Sequence, residues 1–299
     1  SIGITDVVVF HILVLSSPLV VFLACFYHAS TDVTWLVLIK NLLFIVIFTS
    51  GAIVLLYLSL YGVAGLQYLV PNSLGALALS IASGFGKNYF VLLLVVIALT
   101  WSQITRRMPL GLLLLALVIS SGLILGLPSY AVSADMPELM AKWSPLNFLA
   151  IATLAIIIAR QPELILAWRR PLLIVGIVLF FGFAHYEWKY LLSMDFIEGQ
   201  ESALPVVTRL SLMCAIFVMT MLVLSVEREP NQIVRFMAHS APLVFILYYP
   251  LIGFAQWVAK NTSSDLSILP PLRFLYVLVF VYLIAYLMNK LVSRTVFLR

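Results

Sequence analysis

Chemistry in this 299-residue chain would have to reside in a small set of side chains, because its apolar runs hold few polar groups. The ionisable ones within or at the ends of those runs are His11, His28, Lys40, His185, Glu187, Arg209 and His239. An ionisable group at bilayer depth is costly, so each is a functional candidate by default. His28 closes the run Val21-Phe-Leu-Ala-Cys-Phe-Tyr-His28. An imidazole, with an ordinary pKa of about 6.5, can take a proton from a hydroxyl as a general base. The same residue also reads as an interfacial histidine bonded to a headgroup or a loop carbonyl. Arg209, in Pro205-Val-Val-Thr-Arg209-Leu-Ser, is too deep for a loop and shallow enough to snorkel. Turned toward a bundle interior it would clamp an anion, paired with Glu187 or beside His185. His185 and Glu187 are two positions apart and so do not share a helix face. Arg106 and Arg107 could hold the phosphates of a nucleotide-bearing donor such as acyl-CoA bidentately, or serve only to fix orientation. Ser50, in Thr49-Ser50-Gly51, and Ser120-Ser121-Gly122 suit close helix approach or hydrogen bonding between helices.

The elements that must position these residues follow from composition. Apolar residues make up 64% of the chain and charged residues 10%, with a mean hydropathy of +1.14. Soluble domains carry about 25% charged residues. The excess comes in long uncharged blocks such as Leu42–Gln67 and Pro109–Ser133. About 20 apolar residues cross the hydrocarbon core as a helix, so the fold class is all-α, a polytopic transmembrane helical bundle. The alternating ten-residue segments of a membrane β-barrel are absent, as are polar tracts and sustained heptads. The net charge of +5 is spread over short loops, which argues against nucleic acid as a partner. Cys25 and Cys214 lie inside apolar runs and read as packing residues. No nucleotide-binding Gly-rich loop, HExxH or Cys/His ligand spacing occurs, so no metal site is expected.

Charged, Pro-rich and Gly-rich breaks predict nine clear spans, at 5–27, 41–64, 89–104, 109–127, 145–161, 171–190, 204–226, 236–259 and 271–292. The first is too long for a signal-peptide core. The stretch 70–87, interrupted by Pro71, Gly75, Gly84 and Gly86, stays open between a surface helix, a re-entrant segment and a short tenth span. The polar loops are short, so residues 1–299 read as a single transmembrane domain with no soluble domain. No repeat relates the two halves.

From Tyr89 onward basic residues alternate with the loops. Arg106, Arg107, Arg160, Arg169, Arg170, Arg228, Arg235, Lys290, Arg294 and Arg299 fall on one side, and Lys142, Lys189, Lys260 and Arg273 on the other, with most of the acidic loop residues. Ten against four is a positive-inside signal that puts the C-terminus in the cytoplasm. The N-terminus is outside with nine spans and inside with ten. The six tryptophans near predicted helix ends fit an interfacial belt.

Several short motifs, in order, resemble the membrane-bound acyltransferase 3 family, which O-acylates extracytoplasmic glycans. They are the first-span ending at His28-Ala-Ser, Phe48-Thr-Ser50-Gly51, Tyr89-Phe90-Val-Leu-Leu-Leu, and Phe236-Met-Ala-His239-Ser-Ala-Pro-Leu-Val-Phe-Ile-Leu-Tyr248-Tyr-Pro. The family pattern has an arginine in the first span before its histidine, where this chain has Ser17, and a histidine late in its last block, where this chain has Tyr249 and Pro250. The resemblance implies acyl transfer from cytoplasmic acyl-CoA to a hydroxyl of a glycan or lipid-linked sugar. No permanently bound cofactor is implied. His28 would be catalytic, and Arg209 or the Ser50 hydroxyl would steady the oxyanion. The candidate substrate-binding set is Arg209, Ser50, His185, Glu187 and His239, and the candidate donor-binding set Arg106 and Arg107. Two other classes fit the same residues: a transporter or flippase of lipid-linked or anionic solutes, and a non-catalytic subunit of a membrane complex. The bilayer is the expected surrounding in each case, a bacterial inner membrane the expected location.

Overall fold

The computed structural model describes residues 15–31, 34–69, 97–134 apart from 98, 144–195 and 209–226, with isolated positions at 73–81 and 232–286. Among the described residues every regular element is helical and there is no strand. We number the α-helices α1 (Ser16–Ser30), α2 (Trp35–Tyr61), α3 (Leu110–Ser133), α4 (Leu149–Arg160), α5 (Pro162–Ala167), α6 (Arg169–Asp195) and α7 (Leu210–Leu224). Short 3-10 turns at Gly62–Tyr68 and Pro145–Phe148 follow α2 and precede α4. Three stretches are long and apolar enough to cross a membrane: Ser50–Gln67, Leu110–Leu127 and Arg169–Glu187. Pro18–Ser30, Pro145–Arg160 and Leu210–Leu224 are shorter apolar helices. The expected spans at 236–259 and 271–292 and the first half of 89–104 lie largely outside the described residues.

Helix ends obey local chemistry. The Ser144 hydroxyl accepts the Leu146 N–H at 3.4 Å and Pro145 fills the first helical position, opening the turn into α4. Pro162 opens α5 in the same way. Gly62, at φ +62°, stops α2 in the left-handed conformation that costs glycine nothing.

The chain divides into two compact units, Ser1–Thr34 with Leu94–Glu227, and Trp35–Leu93 with Arg228–Arg299. In the first, α4 is the centre. It is apolar all round, and each residue from Leu149 to Ile158 is buried. Its alanines 150, 152 and 155 have no exposed surface and let α1 and α3 approach closely. Two layers cross the unit. At one end Leu113, Ile156 and Ile157 pack with Ala29, Met108, Leu110 and Leu117. Toward the other, Ile124, Ala150 and Leu210 pack with Leu125, Phe183 and Met213. We call the first the basic end, because Arg160 donates to the Met108 carbonyl there, beside Arg106 and Arg107 in the chain.

α6 and α7 run antiparallel, closely enough at Gly176 that a Cβ there would lie 3.0 Å from Phe217 Cδ1 and Val218 Cγ2. A Cβ at Gly182 would meet nothing within 4 Å. In the second unit the 3-10 turn folds back on α2, where a Cβ on Gly65 would come within 2.6 Å of the Tyr57 carbonyl oxygen. Phe236 also packs edge-on against Tyr286, ring centroids 5.6 Å apart, and against Tyr282 at 6.3 Å.

Gly176→Leu should wedge α6 from α7 and destabilise the protein by about 1–3 kcal/mol, the usual cost of overpacking. Gly182→Leu should leave stability within about 0.5 kcal/mol. Thermal unfolding in detergent checks both, and equal Tm values for the two variants would contradict this packing.

Candidate functional site

Two groups of polar side chains, one at each end, hold the buried ionisable candidates of the first unit. At the basic end α1 brings His28 against the helical stretch that leads to Arg106. His28 is 4% exposed, and its Nε2 meets the Gln103 amide nitrogen. The direction of this hydrogen bond follows the tautomer of the ring. The Arg106 guanidinium is near enough to act on the ring through its charge. One turn deeper, the Trp101 indole N–H donates to Thr153 Oγ1 at 2.9 Å, and that hydroxyl donates to the Leu149 carbonyl at 2.7 Å. The Thr105 hydroxyl donates to the Trp101 carbonyl. Ser102 Oγ is fully buried and meets no hydrogen-bond partner among the described residues. The result is a continuous polar seam joining α1, residues 101–106 and α4.

At the opposite end the Arg209 charge lies near the Glu187 carboxylate, a pairing the sequence left open. Both are buried, Glu187 at 2% and Arg209 at 3% exposure. Arg209 precedes the first turn of α7 in extended backbone, φ −74° and ψ 151°. Glu187 Oε1 accepts the Ser211 N–H at 3.2 Å, and Oε2 accepts the Ser211 hydroxyl. The carboxylate thus caps α7 from the neighbouring helix α6. It satisfies donors that have no partner inside α7 and sits at the positive end of the helix dipole, with the Arg209 charge beside it. Arg209 is therefore enclosed instead of snorkelling to the surface. His185 is exposed, two residues from Glu187 and on another face.

The remaining candidates fall elsewhere. Arg107 is exposed, next to the half-buried Arg106. Ser50 belongs to the second unit, where its hydroxyl donates to the Ile81 carbonyl at 2.6 Å. Lys40 is exposed, and His11 and His239 lie outside the described residues. Among the described residues no cluster of His, Cys, Asp or Glu could hold a metal ion.

No protein-family model, curated protein or solved structure matches the chain. Function therefore rests on the two polar clusters themselves. They are chemically unequal. The Glu187 oxygens are engaged with a helix terminus, a structural task. His28 meets a neutral side-chain amide instead.

Sequence reasoning missed Gln103, Trp101, Thr153 and Ser211. Three of them carried a signal: Thr153 is the one hydroxyl in Leu149–Ile158, and Trp101 and Gln103 belong to Trp101-Ser-Gln-Ile-Thr105, a polar run just before paired arginines. Ser211 was marked only by standing two residues after Arg209.

Glu187→Ala should strand the Ser211 hydroxyl and N–H and cost about 1–3 kcal/mol, the penalty for buried unsatisfied donors. Glu187→Gln, which keeps one acceptor, should cost less. Tm in detergent reads both, and an unchanged Glu187→Ala variant would show that the cap contributes nothing.

Proposed function

We propose that the chain is a membrane-bound O-acyltransferase of the acyltransferase 3 type, moving an acyl group from acyl-CoA to a hydroxyl of a lipid-linked sugar or glycan. The observation that carries this reading is the buried His28, held by Gln103 within electrostatic reach of Arg106. The family pattern's arginine is missing at Ser17, and Arg106 would supply a guanidinium to the histidine from another helix.

On this reading nine spans cross the membrane, and the basic end faces the cytoplasm by the positive-inside rule. The membrane is a bacterial inner membrane, with the C-terminus in the cytoplasm. Arg106 and the exposed Arg107 would then meet the phosphates of cytoplasmic acyl-CoA. The acceptor hydroxyl replaces Gln103 at His28 Nε2 and gives up its proton there as its oxygen attacks the thioester carbonyl. The carbonyl oxygen becomes an oxyanion, stabilised by the released Gln103 amide. Collapse breaks the carbon–sulfur bond, and the leaving thiolate takes the proton from the imidazolium. Arg209 and Glu187 stand at the other end of the unit, outside this chemistry. A second reading, a non-catalytic membrane subunit, is favoured by the near-complete enclosure of His28, since a histidine–amide pair can also serve as a bond between helices.

Calorimetry of acetyl-CoA binding to the purified protein separates the two. Saturable binding is expected, weakened about tenfold or more in Arg106→Ala, because a hydrogen bond to a charged group contributes about 1.5–3 kcal/mol. His28→Ala should bind the donor nearly as well and fail to transfer labelled acetyl to membrane lipid-linked sugars. No binding at millimolar acetyl-CoA by folded protein, or undiminished transfer by His28→Ala, would overturn the proposal.

A further inference from the structure

We infer that the connection from α4 to α6 binds an anionic phospholipid, with Arg169 and Arg170 on its phosphate and Leu164 and Trp168 against the start of its acyl chains. The place in the fold comes first. α4 ends at Arg160 and α6 begins at Arg169. Phe183, well along α6, packs with Ala150 from the start of α4, so the two helices run in opposite directions and Arg160 and Arg169 share the basic end. α5 therefore joins two helices at one face. The stretch Arg169–Glu187 has 19 residues, about 28 Å at 1.5 Å per residue, which matches the roughly 30 Å hydrocarbon core. That sets Arg169 and Arg170 at the rim of the core and α5 in the interfacial layer.

α5 buries one side chain, Ile165, and leaves Leu164 49% exposed, Leu166 38% and the following Trp168 61%. The Trp168 N–H donates to the Leu164 carbonyl at 3.2 Å, and the two side chains, four positions apart, share a face. Water gains nothing from such a face, whereas the headgroup layer is where tryptophan is favoured. Charge then selects the lipid. Arg169 and Arg170 are exposed and open α6, whose first turn holds no acidic side chain. Two cations at the positive end of a helix dipole are unfavourable by themselves, and an anion placed there is attracted by dipole and guanidinium alike. In residues 97–108 and 157–172, Arg106, Arg107, Arg160, Arg169 and Arg170 stand against a single acid, Glu163. Arg160 donates to the Met108 carbonyl and Arg106 lies near His28, both half-buried, while Arg169 and Arg170 face outward. A phosphodiester meets a guanidinium bidentately. A soluble phosphate would use the arginines and leave Leu164 and Trp168 bare; a phospholipid covers both.

The test is tryptophan quenching in vesicles that mix phosphatidylcholine with phosphatidylglycerol, one or the other carrying brominated acyl chains. The Trp168 signal is the difference between the full-length parent protein and Trp168→Phe, which removes one of the six tryptophans. Phosphatidylglycerol is expected to be preferred at Trp168 about tenfold or more, since each basic residue near an anionic surface contributes about fivefold. Arg169→Gln with Arg170→Gln should bring the preference close to one. The parent protein decides the matter even where the glutamine pair fails to insert. Equal quenching by the two lipids, or no quenching of Trp168, would overturn the inference and leave the arginines to set orientation alone. A preference undiminished in an inserted glutamine pair would also overturn it. Millimolar inorganic phosphate should leave the quenching unchanged, and loss of the preference on its addition would overturn the lipid in favour of a soluble anion.

Discussion

At membrane depth no water is available to satisfy a polar group, so a hydroxyl, amide or carboxylate must find its partner on protein. The rest of this architecture depends on that constraint. Lipid tails are as apolar as leucine, and burying Leu113 or Ile156 out of lipid gives no hydrophobic gain that would choose one helix pairing over another. What selects the pairing is a few bonds that only one arrangement satisfies. Trp101 with Thr153 joins the stretch before Arg106 to α4. His28 with Gln103 joins that stretch to α1. Glu187 with Ser211 joins α6 to α7, and Ser50 with Ile81 holds the chain beyond α2 against that helix. Small residues then set the spacing. Ala150, Ala152 and Ala155 admit neighbours close to α4, and Gly176 leaves room for Phe217 and Val218.

The same constraint explains how much of the fold was legible in the sequence. Among the described residues helices form where the chain is apolar and uncharged, and their limits follow from charge, proline and glycine. The expected span 145–161 corresponds to the turn at Pro145 and α4 ending at Arg160, and 109–127 corresponds to α3 beginning at Leu110. Which helix sits at the centre was not legible. In a soluble bundle the polar stripe of each helix faces water and reveals its buried side. Here lipid and core are both apolar, so α4 and α6 read alike, although α4 is enclosed and α6 exposes Ile174, Val178 and Phe181. The three alanines of α4 against the larger residues of α6 are the trace that packing leaves, and that trace is weak.

The candidate site was half legible for a related reason. The cost of burying an ionisable group singles out His28, Glu187 and Arg209 without any knowledge of contacts. Their partners are neutral. Gln103, Ser211 and Thr153 cost little to place in a membrane helix and so do not stand out. The expected depths of Glu187 and Arg209 left a pairing between them open, beside His185 or a snorkelling arginine, and the structure puts the Arg209 charge near the Glu187 carboxylate. What they do together was not readable, because capping α7 depends on where that helix begins, and it begins just after Arg209.

The two polar clusters stand at opposite ends of one unit and do different structural work. A carboxylate whose oxygens accept a backbone N–H and a hydroxyl at a helix terminus cannot take up a substrate proton without freeing the end of α7. The histidine bears no such duty. Its amide partner comes from a side chain and not from a helix terminus, and α1 packs on α4 along its length. Of the buried polar groups in the first unit, His28 is thus the one that can change partners at the lowest structural cost.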